Sequence, residues 1–303
     1  MIELNIKKLK KELPLNLMIL PGFIFIILFS YVPMAGIIIA FQRFIPAKKL
    51  FGDQQWVGFK NFKYVMDLPN FYNILWNTFF IASMKVILGL IVPIVIALLL
   101  NEMKHVLLKR GIQTAIYLPH FLSWVVLGGI FIDMLSPTDG LLNTFLNKLG
   151  MESIFFLGDN KWFPYTMIIT DTWKEFGYGT IIYLAALTGV NPNLYEAAQL
   201  DGANRWKQTI HISLPGIQMV VALLMVLSLG NLLNAGFDQI FNMYSPMVYE
   251  SGDILDTFVY RIGLLDAQFG VATAVGLFKS VIALVLVSSS YYFAYKFADY
   301  RIF

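Results

Sequence analysis

Long apolar stretches separated by short polar segments make up most of this chain. A transmembrane helix needs about 20 consecutive apolar residues. Stretches of that length lie at about 15–41, 74–100, 112–135, 164–187, 217–237 and 269–297. The pattern predicts an all-α integral membrane protein whose six transmembrane helices form a single domain over residues 1–303.

The composition agrees with a protein that crosses the membrane several times. Of the 303 residues, 58% are hydrophobic and 14% are charged, and the mean hydropathy is +0.67. Soluble proteins contain about 25% charged residues. The net charge is only +3, and there is no long basic run with interleaved aromatic residues of the kind that suggests nucleic-acid binding. We therefore expect membrane lipid around the chain and no nucleic-acid partner.

The chain lacks the residues that most catalytic and metal sites require. It has no cysteine, which excludes disulfides and thiolate metal sites. Its histidines, His105, His120 and His211, are scattered, with no pair at ligand spacing. The sequence shows no catalytic set and no Walker-type phosphate loop. We expect no catalytic residue, metal or bound cofactor, so that any use of ATP requires a second chain.

Basic residues predict how the chain is oriented. Positive residues before the first apolar stretch and after the second are Lys7, Lys8, Lys10, Lys11, Lys104, Lys109 and Arg110. Because short loops rich in lysine and arginine stay in the cytoplasm, both termini are expected there. The cytoplasmic segments would then be 1–14, 101–111, 188–216 and 298–303.

Segment 42–73 is expected outside, although it carries five basic residues. Its aromatic residues are mixed with lysines, as in the stretch from Trp56 to Tyr64. This mixture favours a short helix at the membrane interface. An aromatic belt that anchors the second transmembrane helix explains the same pattern.

Polar residues inside the apolar stretches mark a candidate substrate path. Charges within a membrane helix usually face the bundle interior or a watery cavity. On the fourth helix these residues are Asp171, Trp173, Lys174, Glu175 and Tyr178, and on the fifth they are Asn231, Asn234 and Asp238 at helical spacing. Amide, carboxylate and ammonium groups beside aromatic rings suit a hydroxylated ligand such as a sugar.

A structural interpretation of the same residues stays open. Asp171 and Lys174 can neutralise each other along one helix, and asparagines often join neighbouring membrane helices. Two further lysines within the apolar stretches, Lys85 and Lys279, favour a structural role.

The polar segment 188–216 separates the fourth and fifth helices. Asn191-Pro192-Asn193 predicts a turn and Leu194 to Leu200 a short helix, with Glu196 in its first turn, where a carboxylate suits the helix dipole. Gly202 predicts a sharp turn. A second short helix is expected over Ala203 to Ile210, and Leu214-Pro215-Gly216 is expected to begin the fifth transmembrane helix.

This segment resembles the EAA loop of a known family, the permease subunits of type I binding-protein-dependent ABC importers. Its Glu196-Ala197-Ala198, Gly202, Ile212 and Leu214-Pro215 match the spacing of that motif. Asp201-Gly202-Ala203 and the final Leu-Pro are similar to the carbohydrate-uptake branch. Further similarity, at 56–62, 236–241, 256–261 and 272–280, is greatest to permeases for complex oligosaccharides that depend on lipoproteins.

The resemblance implies a six-helix permease core in a bacterial plasma (inner) membrane. It implies a heteromer with a second, different permease subunit, two ATPase subunits that bind ATP and Mg, and an extracellular sugar-binding protein or lipoprotein. The substrate would be an oligosaccharide. The residues that it assigns to coupling with the ATPase are Glu196, Ala197, Ala198, Asp201, Gly202 and Arg205.

Two other functions remain open at this point. The chain could be a permease of the same superfamily for another solute, such as a peptide or phosphate. It could also be a membrane enzyme or a scaffold that uses an ATPase mechanically, although the lack of a catalytic set counts against an enzyme.

Overall fold

The computed structural model describes residues 6–298, without the side chains of 6–12, 293–295, 297 and 298. The predicted cytoplasmic ends at 1–5 and 299–303 lie outside this range, as do the side chains of the N-terminal lysines. The chain forms two compact units. The first comprises Met1–Asp67 and Ile262–Leu277, and the second comprises Leu68–Arg261 and Phe278–Phe303.

The first unit begins with one long helical run. Helix α1 (Ile6–Ile26) widens into a π-helical turn at Ile27–Tyr31, continues as α2 (Val32–Met34) and tightens into a 3₁₀ turn at Ala35–Phe41. Pro33 has no backbone N–H to donate a hydrogen bond. The π-helical turn just before it allows the helical run to continue past this residue.

A small ribbon and a short helix follow in the same unit. Strand β1 (Gln42–Arg43) pairs antiparallel with β2 (Gln55–Trp56), and α3 (Lys60–Met66) comes next. The predicted short helix in segment 42–73 is therefore present. Its exposed Lys60 and Lys63 alternate with partly buried Asn61 and Phe62.

The second unit contains the remaining helices. In chain order they are α4 (Phe71–Glu102), α5 (Val106–Tyr117), α6 (Trp124–Met134), α7 (Leu141–Lys148), α8 (Phe163–Thr188), α9 (Pro192–Leu200), α10 (Arg205–Gln208), α11 (Leu214–Gly216), α12 (Gln218–Gly230), α13 (Phe237–Met243), α14 (Tyr249–Gly252) and α15 (Leu255–Tyr260). The last helix, α16 (Phe269–Ala298), begins in the first unit and ends in the second.

Helices α4 and α8 form the centre of the second unit. Towards one end of the pair the buried core contains Ile81, Phe163 and Met167. Towards the other end it contains Leu100 and Tyr183, with further apolar side chains from α12 packed against them. These two clusters position the polar residues that α8 carries between them.

Three helices in the described residues are long and apolar enough to cross a membrane: Leu13–Phe41, Phe71–Glu102 and Phe269–Tyr292. Two bent helix pairs raise this number to as many as five, if each pair is one span. The predicted fourth span is also one continuous helix, α8, but it carries Asp171, Lys174 and Glu175 and is not one of these three helices. The total of six spans and the side of each terminus stay predictions.

The third predicted span is not one straight helix. It begins earlier than expected, at Val106, and Val106–Phe121 meets Trp124–Met134 at 103°. Pro119 lies in the 3₁₀ turn at the break, and Ser123 caps the new helix by accepting a hydrogen bond from the Val126 amide at 3.3 Å. An apolar stretch of sufficient length therefore does not ensure a continuous helix.

The fifth predicted span, 217–237, begins close to the expected residue, since α12 starts at Gln218, but it ends early. The segment Leu214-Pro215-Gly216 does not begin a helix but ends the helical run Arg205–Gly216, which meets Gln218–Gly230 at 57°. The second short helix likewise begins at Arg205 and not at Ala203. At the far end, α12 stops at Gly230, seven residues before the predicted boundary at 237.

Candidate functional site

The loop after α8 carries the EAA motif on a well-capped helix. The Asn191 side chain accepts a hydrogen bond from the Asn193 amide at 3.0 Å, and Pro192 occupies the first helical position. Because α9 begins at Pro192, Glu196 lies in the second turn and not the first. The predicted contribution of Glu196 to the helix dipole is therefore wrong.

A Schellman cap ends α9 at Gly202. The Ala203 amide donates to the Ala198 carbonyl at 2.8 Å, and the Gly202 amide donates to the Gln199 carbonyl at 3.1 Å. Gly202 has φ +75°, which the left-handed position of this cap requires. The predicted turn is thus confirmed, and the cap explains why three residues separate Ala198 from the glycine.

The two arms of the loop are tied to each other. Asn204 caps the second arm by accepting from the Lys207 amide at 2.9 Å. Buried Gln208 donates to the Ala203 carbonyl at 2.9 Å, and the Tyr195 hydroxyl lies 2.9 Å from Ser213 Oγ. These contacts hold the turn in one orientation relative to the helix that follows.

The tip of this loop exposes large apolar side chains. Leu200 is 90% exposed and Trp206 71% exposed, and Glu196 and Ala197 are also exposed. The neighbouring Arg205 forms an ion pair with Glu102 at the end of α4, at 3.4 Å. The loop therefore presents an apolar surface beside the C-terminal end of α4. Exposed side chains of this size usually mark a protein contact.

The polar face of α8 forms a network with the break between α5 and α6. Buried Lys174 donates to the His120 carbonyl at 3.0 Å and pairs with Glu175 at 2.7 Å. Glu175 also contacts His120 Nδ1 at 2.7 Å, and the His120 ring stacks on Tyr178 with centroids 4.2 Å apart. Lys174 lies over the Trp124 ring at 5.6 Å.

His120 and Trp124 were not predicted as members of this network. They belong to the segment that was expected to be continuous helix. Pro119 next to His120, and Ser123 next to Trp124, are the sequence signals that could have revealed the break.

Asp171 belongs to a second polar cluster. It lies 3.2 Å from Lys85 on α4, so the predicted pairing with Lys174 is not formed. Lys85 also donates to the Ala235 carbonyl at 2.7 Å and to the Gln239 side chain. Gln239 is buried and donates to the Met167 carbonyl and the Thr170 hydroxyl, each at 2.8 Å.

The predicted face of Asn231, Asn234 and Asp238 is not a helical face. Asn231 follows the end of α12, Asn234 lies in the irregular segment after it, and Asp238 lies on α13. The break is stabilised by Lys85, which binds the carbonyl of Ala235. All three polar side chains are nevertheless exposed. Trp173 and Tyr178 on α8 are also exposed, at 44% and 49%.

A cavity of about 460 Å³ lies at the N-terminal end of α4. An ion pair between Asp253 and Arg261 contributes to its wall, and Arg261 also lies over the Tyr249 ring at 4.6 Å. Burial by itself lowers the pKa of Arg261, but the hydrogen bond and the negative charge of Asp253, together with Tyr249 and Tyr244, outweigh burial and raise the pKa overall. Burial and the neighbouring Tyr249 raise the pKa of Tyr244 to about 12.

No group of three or more histidine, aspartate or glutamate side chains in the described part of the chain is placed to hold a metal ion. The charged side chains of the two polar clusters, around Lys174 and around Lys85, contact one another, main-chain carbonyls and aromatic rings.

Comparison with known proteins identifies the family. Residues 89–302 match the family described as "binding-protein-dependent transport system inner membrane component". The polygalacturonan/rhamnogalacturonan transport system permease protein YteP of Bacillus subtilis (strain 168) is 42% identical over 98% of this chain and 92% of its own length. Protein LplB of the same strain is 39% identical, covering 97% and 92%.

Solved structures show the same fold. A chain of a bacterial ABC transporter involved in the import of the acidic polysaccharide alginate superimposes with a TM-score of 0.89 at 36% identity, covering 96% of this chain and 98% of that one. A second structure, in complex with an alginate pentasaccharide-bound periplasmic protein, gives 0.88 at 36% identity and covers 96% of each chain. This chain therefore belongs to the inner membrane components of binding-protein-dependent ABC transport systems, with the fold of a type I importer permease.

Proposed function

We propose that this permease forms half of the translocation path of an ATP-driven importer for oligosaccharide fragments of polysaccharides. A second, different permease subunit would supply the other half. The observation that carries the proposal is the capped EAA turn, which exposes Leu200 and Trp206 beside the end of α4. Relatives that transport polygalacturonan, rhamnogalacturonan or alginate support a polysaccharide-derived substrate.

The EAA turn is the element that couples ATP hydrolysis to the spans. Two ATPase subunits would bind ATP and Mg, and one of them would accept the tip of the loop in a groove. Exposed Glu196 would pair with a basic residue of that subunit, while Ala197 and Leu200 fill the groove. Asp201 and Gly202 form the cap that aims the tip, and Arg205 joins the loop to α4 through Glu102.

The substrate would contact exposed polar and aromatic side chains in the second unit. Trp173 and Tyr178 offer ring faces to the C–H patches of a sugar, and Asn231, Asn234 and Asp238 offer amide and carboxylate groups to its hydroxyls. Asp171, Lys174 and Glu175 hold these elements in place, because their charges are already paired inside the protein. An extracellular sugar-binding lipoprotein would deliver the oligosaccharide.

Coupling through the loop tip is tested by Leu200→Asp. A charge in place of a 90% exposed leucine leaves the fold intact but cannot enter an apolar groove. We expect about a tenfold or greater loss of ATPase association, corresponding to more than 1.4 kcal/mol. The measurement is the amount of ATPase that copurifies with the full-length permease in its native assembly.

The matched control is Leu141→Asp, which places the same charge at a 73% exposed leucine of α7, outside the predicted spans. This variant should retain the ATPase. If Leu200→Asp keeps its ATPase, or if both variants lose it equally, the loop tip is not the docking surface.

A further inference from the structure

His120, at the break between α5 and α6, has one ring nitrogen that the network around it does not use. Its Nδ1 atom lies 2.7 Å from the Glu175 carboxylate, and its main-chain carbonyl accepts a hydrogen bond from Lys174 at 3.0 Å. The other ring nitrogen, Nε2, forms no hydrogen bond with any residue that the structure describes. The His120 side chain is 28% exposed, so its ring is open to a ligand.

The backbone that carries His120 is held against α8 by a glycine. A Cβ atom at Gly177 would lie 1.9 Å from the Ile116 carbonyl oxygen, so only glycine permits this approach of α5 to α8. The 3₁₀ turn Leu118–Phe121 follows directly. The close approach of the two helices therefore brings His120 onto the polar face of α8.

The His120 ring is fixed both on one face and on one edge. It stacks on Tyr178, with ring centroids 4.2 Å apart and 9° between the ring planes. Its Nδ1 atom faces Glu175, whose other oxygen pairs with the Lys174 ammonium group at 2.7 Å. An ionised carboxylate only accepts hydrogen bonds, so the Glu175 contact assigns the proton of a neutral imidazole to Nδ1. Nε2 is then an acceptor that lacks a donor.

This open position lies deep in the membrane. Helix α8 spans Phe163–Thr188, and at 1.5 Å per residue Glu175 lies about 18–20 Å from either end. The Glu175 side chain is 39% exposed and Tyr178 is 49% exposed. Charged side chains at such a depth face the bundle interior or a water-filled cavity and not lipid. The exposed edge of the network therefore faces polar space within the membrane.

The free groups at this edge indicate the chemistry of the ligand. Nε2 requires a donor, which an anion cannot supply. A cation would find no free counter-charge, because Glu175 is already paired with Lys174. The Tyr178 hydroxyl likewise forms no hydrogen bond with a described residue. A ligand hydroxyl donates and accepts hydrogen bonds, so it suits both groups.

We propose that His120 is a substrate-binding residue of the translocation path, and that its Nε2 atom accepts a hydrogen bond from a hydroxyl group of the oligosaccharide. This role rests on the proposed function, because it requires a sugar as the cargo. Tyr178 would contact the same sugar ring. Glu175 and Lys174 would act through His120, by holding its tautomer and the orientation of its ring.

The first test is chemical modification of His120 in the complete importer. Diethyl pyrocarbonate reacts with accessible, unprotonated imidazole nitrogens, and mass spectrometry of the peptides identifies the modified residue. The reconstituted importer is treated in the presence of a non-hydrolysable ATP analogue and binding protein that is either empty or loaded with oligogalacturonide. His120 should react with the empty binding protein and lose most of this reaction with the loaded one. Exposed His105 is the internal control and should react equally in both.

The second test is transport by variants of His120. His120→Phe keeps a flat ring that can stack on Tyr178 but has no acceptor in place of Nε2. Uptake at saturating loaded binding protein should fall about fivefold, as expected for the loss of one hydrogen bond. His120→Gln supplies an amide oxygen as an acceptor and should retain more uptake than His120→Phe. His105→Phe is the matched control and should transport like the wild type.

Three results would overturn this role of His120 in a wild-type importer that accumulates the oligosaccharide. One is equal modification of His120 with empty and loaded binding protein. Another is the lack of any modification in either condition, which would show that the partner permease covers the residue. The third is wild-type uptake by His120→Phe. A wild-type importer that accumulates no oligosaccharide would instead contradict the proposed function, and the role of His120 would fail with it.

Discussion

Gly202 shows how far a single residue can be interpreted from the sequence. A glycine at this place in the EAA spacing predicts a sharp turn, and the structure confirms it with φ +75°. The spacing does not reveal which carbonyls the turn satisfies. The hydrogen bonds to Ala198 and Gln199 explain why the alanine and the glycine must stand four positions apart.

Substitution of Gly202 by valine should uncouple the permease from its ATPase. A β-branched residue in the left-handed region costs about 1–3 kcal/mol, so the cap opens and the tip turns away. Oligosaccharide uptake should fall to background while the protein still inserts into the membrane. Gly202→Asn should keep much of the activity, because asparagine tolerates this conformation.

Gly111→Val is the control for this series, since Gly111 lies in α5 with ordinary φ and open space around its Cα. It should transport normally. Wild-type uptake by Gly202→Val would exclude the cap as a requirement for coupling.

Charged residues in the spans were harder to interpret than the glycine. Helical spacing predicted a pair between Asp171 and Lys174, because residues three apart on a helix are neighbours. In the structure Asp171 pairs with Lys85 on a different helix, and Lys174 pairs with the adjacent Glu175. Periodicity describes neighbours along one helix and carries no information about which helices pack together.

At the scale of whole helices, the apolar pattern predicted α4, α8 and α16 to within three residues at each end. It failed where the chain bends. The third span breaks near Pro119 and Ser123, and the fifth ends at Gly230, although both regions remain apolar. Hydropathy indicates whether a stretch can lie in lipid. A bend depends instead on local groups that satisfy the freed backbone, such as the Ser123 cap and the Lys85 side chain that binds the Ala235 carbonyl.

Lys85 on α4 contacts Asp171 on α8 and Gln239 on α13, so it joins three helices. Loss of the Lys85 charge should therefore destabilise the second unit. Lys85→Met leaves Asp171 unpaired and deprives the Ala235 carbonyl and Gln239 of a donor. Loss of one partner of a buried pair costs about 3–5 kcal/mol. Thermal unfolding of the solubilised protein should show a clearly lower midpoint.

A second substitution distinguishes charge from packing in this cluster. Lys85→Met combined with Asp171→Leu removes both charges and should recover part of the lost stability. The recovery should be incomplete, because the Ala235 carbonyl remains unsatisfied. A double variant no more stable than Lys85→Met would show that the Lys85–Asp171 pair does not account for the loss.

For the molecule as a whole, α4 connects the two surfaces that a transporter needs. Its N-terminal end borders the cavity beside Arg261, and its C-terminal Glu102 contacts Arg205 in the coupling loop. A helix of 32 residues is about 48 Å long, enough to cross a bilayer. In the proposed function, a movement of the loop would be carried along α4 and α8 to the polar residues between them.

Transport itself is the most direct test of this account. The permease is reconstituted with its partner permease and ATPase in liposomes, and labelled oligogalacturonide, a labelled peptide or labelled phosphate is added in separate reactions with the cognate binding protein. Uptake is followed for the wild type and for Asn231→Ala, which removes an exposed amide of the proposed path. The account predicts ATP-dependent accumulation of the oligosaccharide by the wild type and reduced accumulation by Asn231→Ala. Accumulation of a peptide or phosphate in place of any oligosaccharide would contradict it.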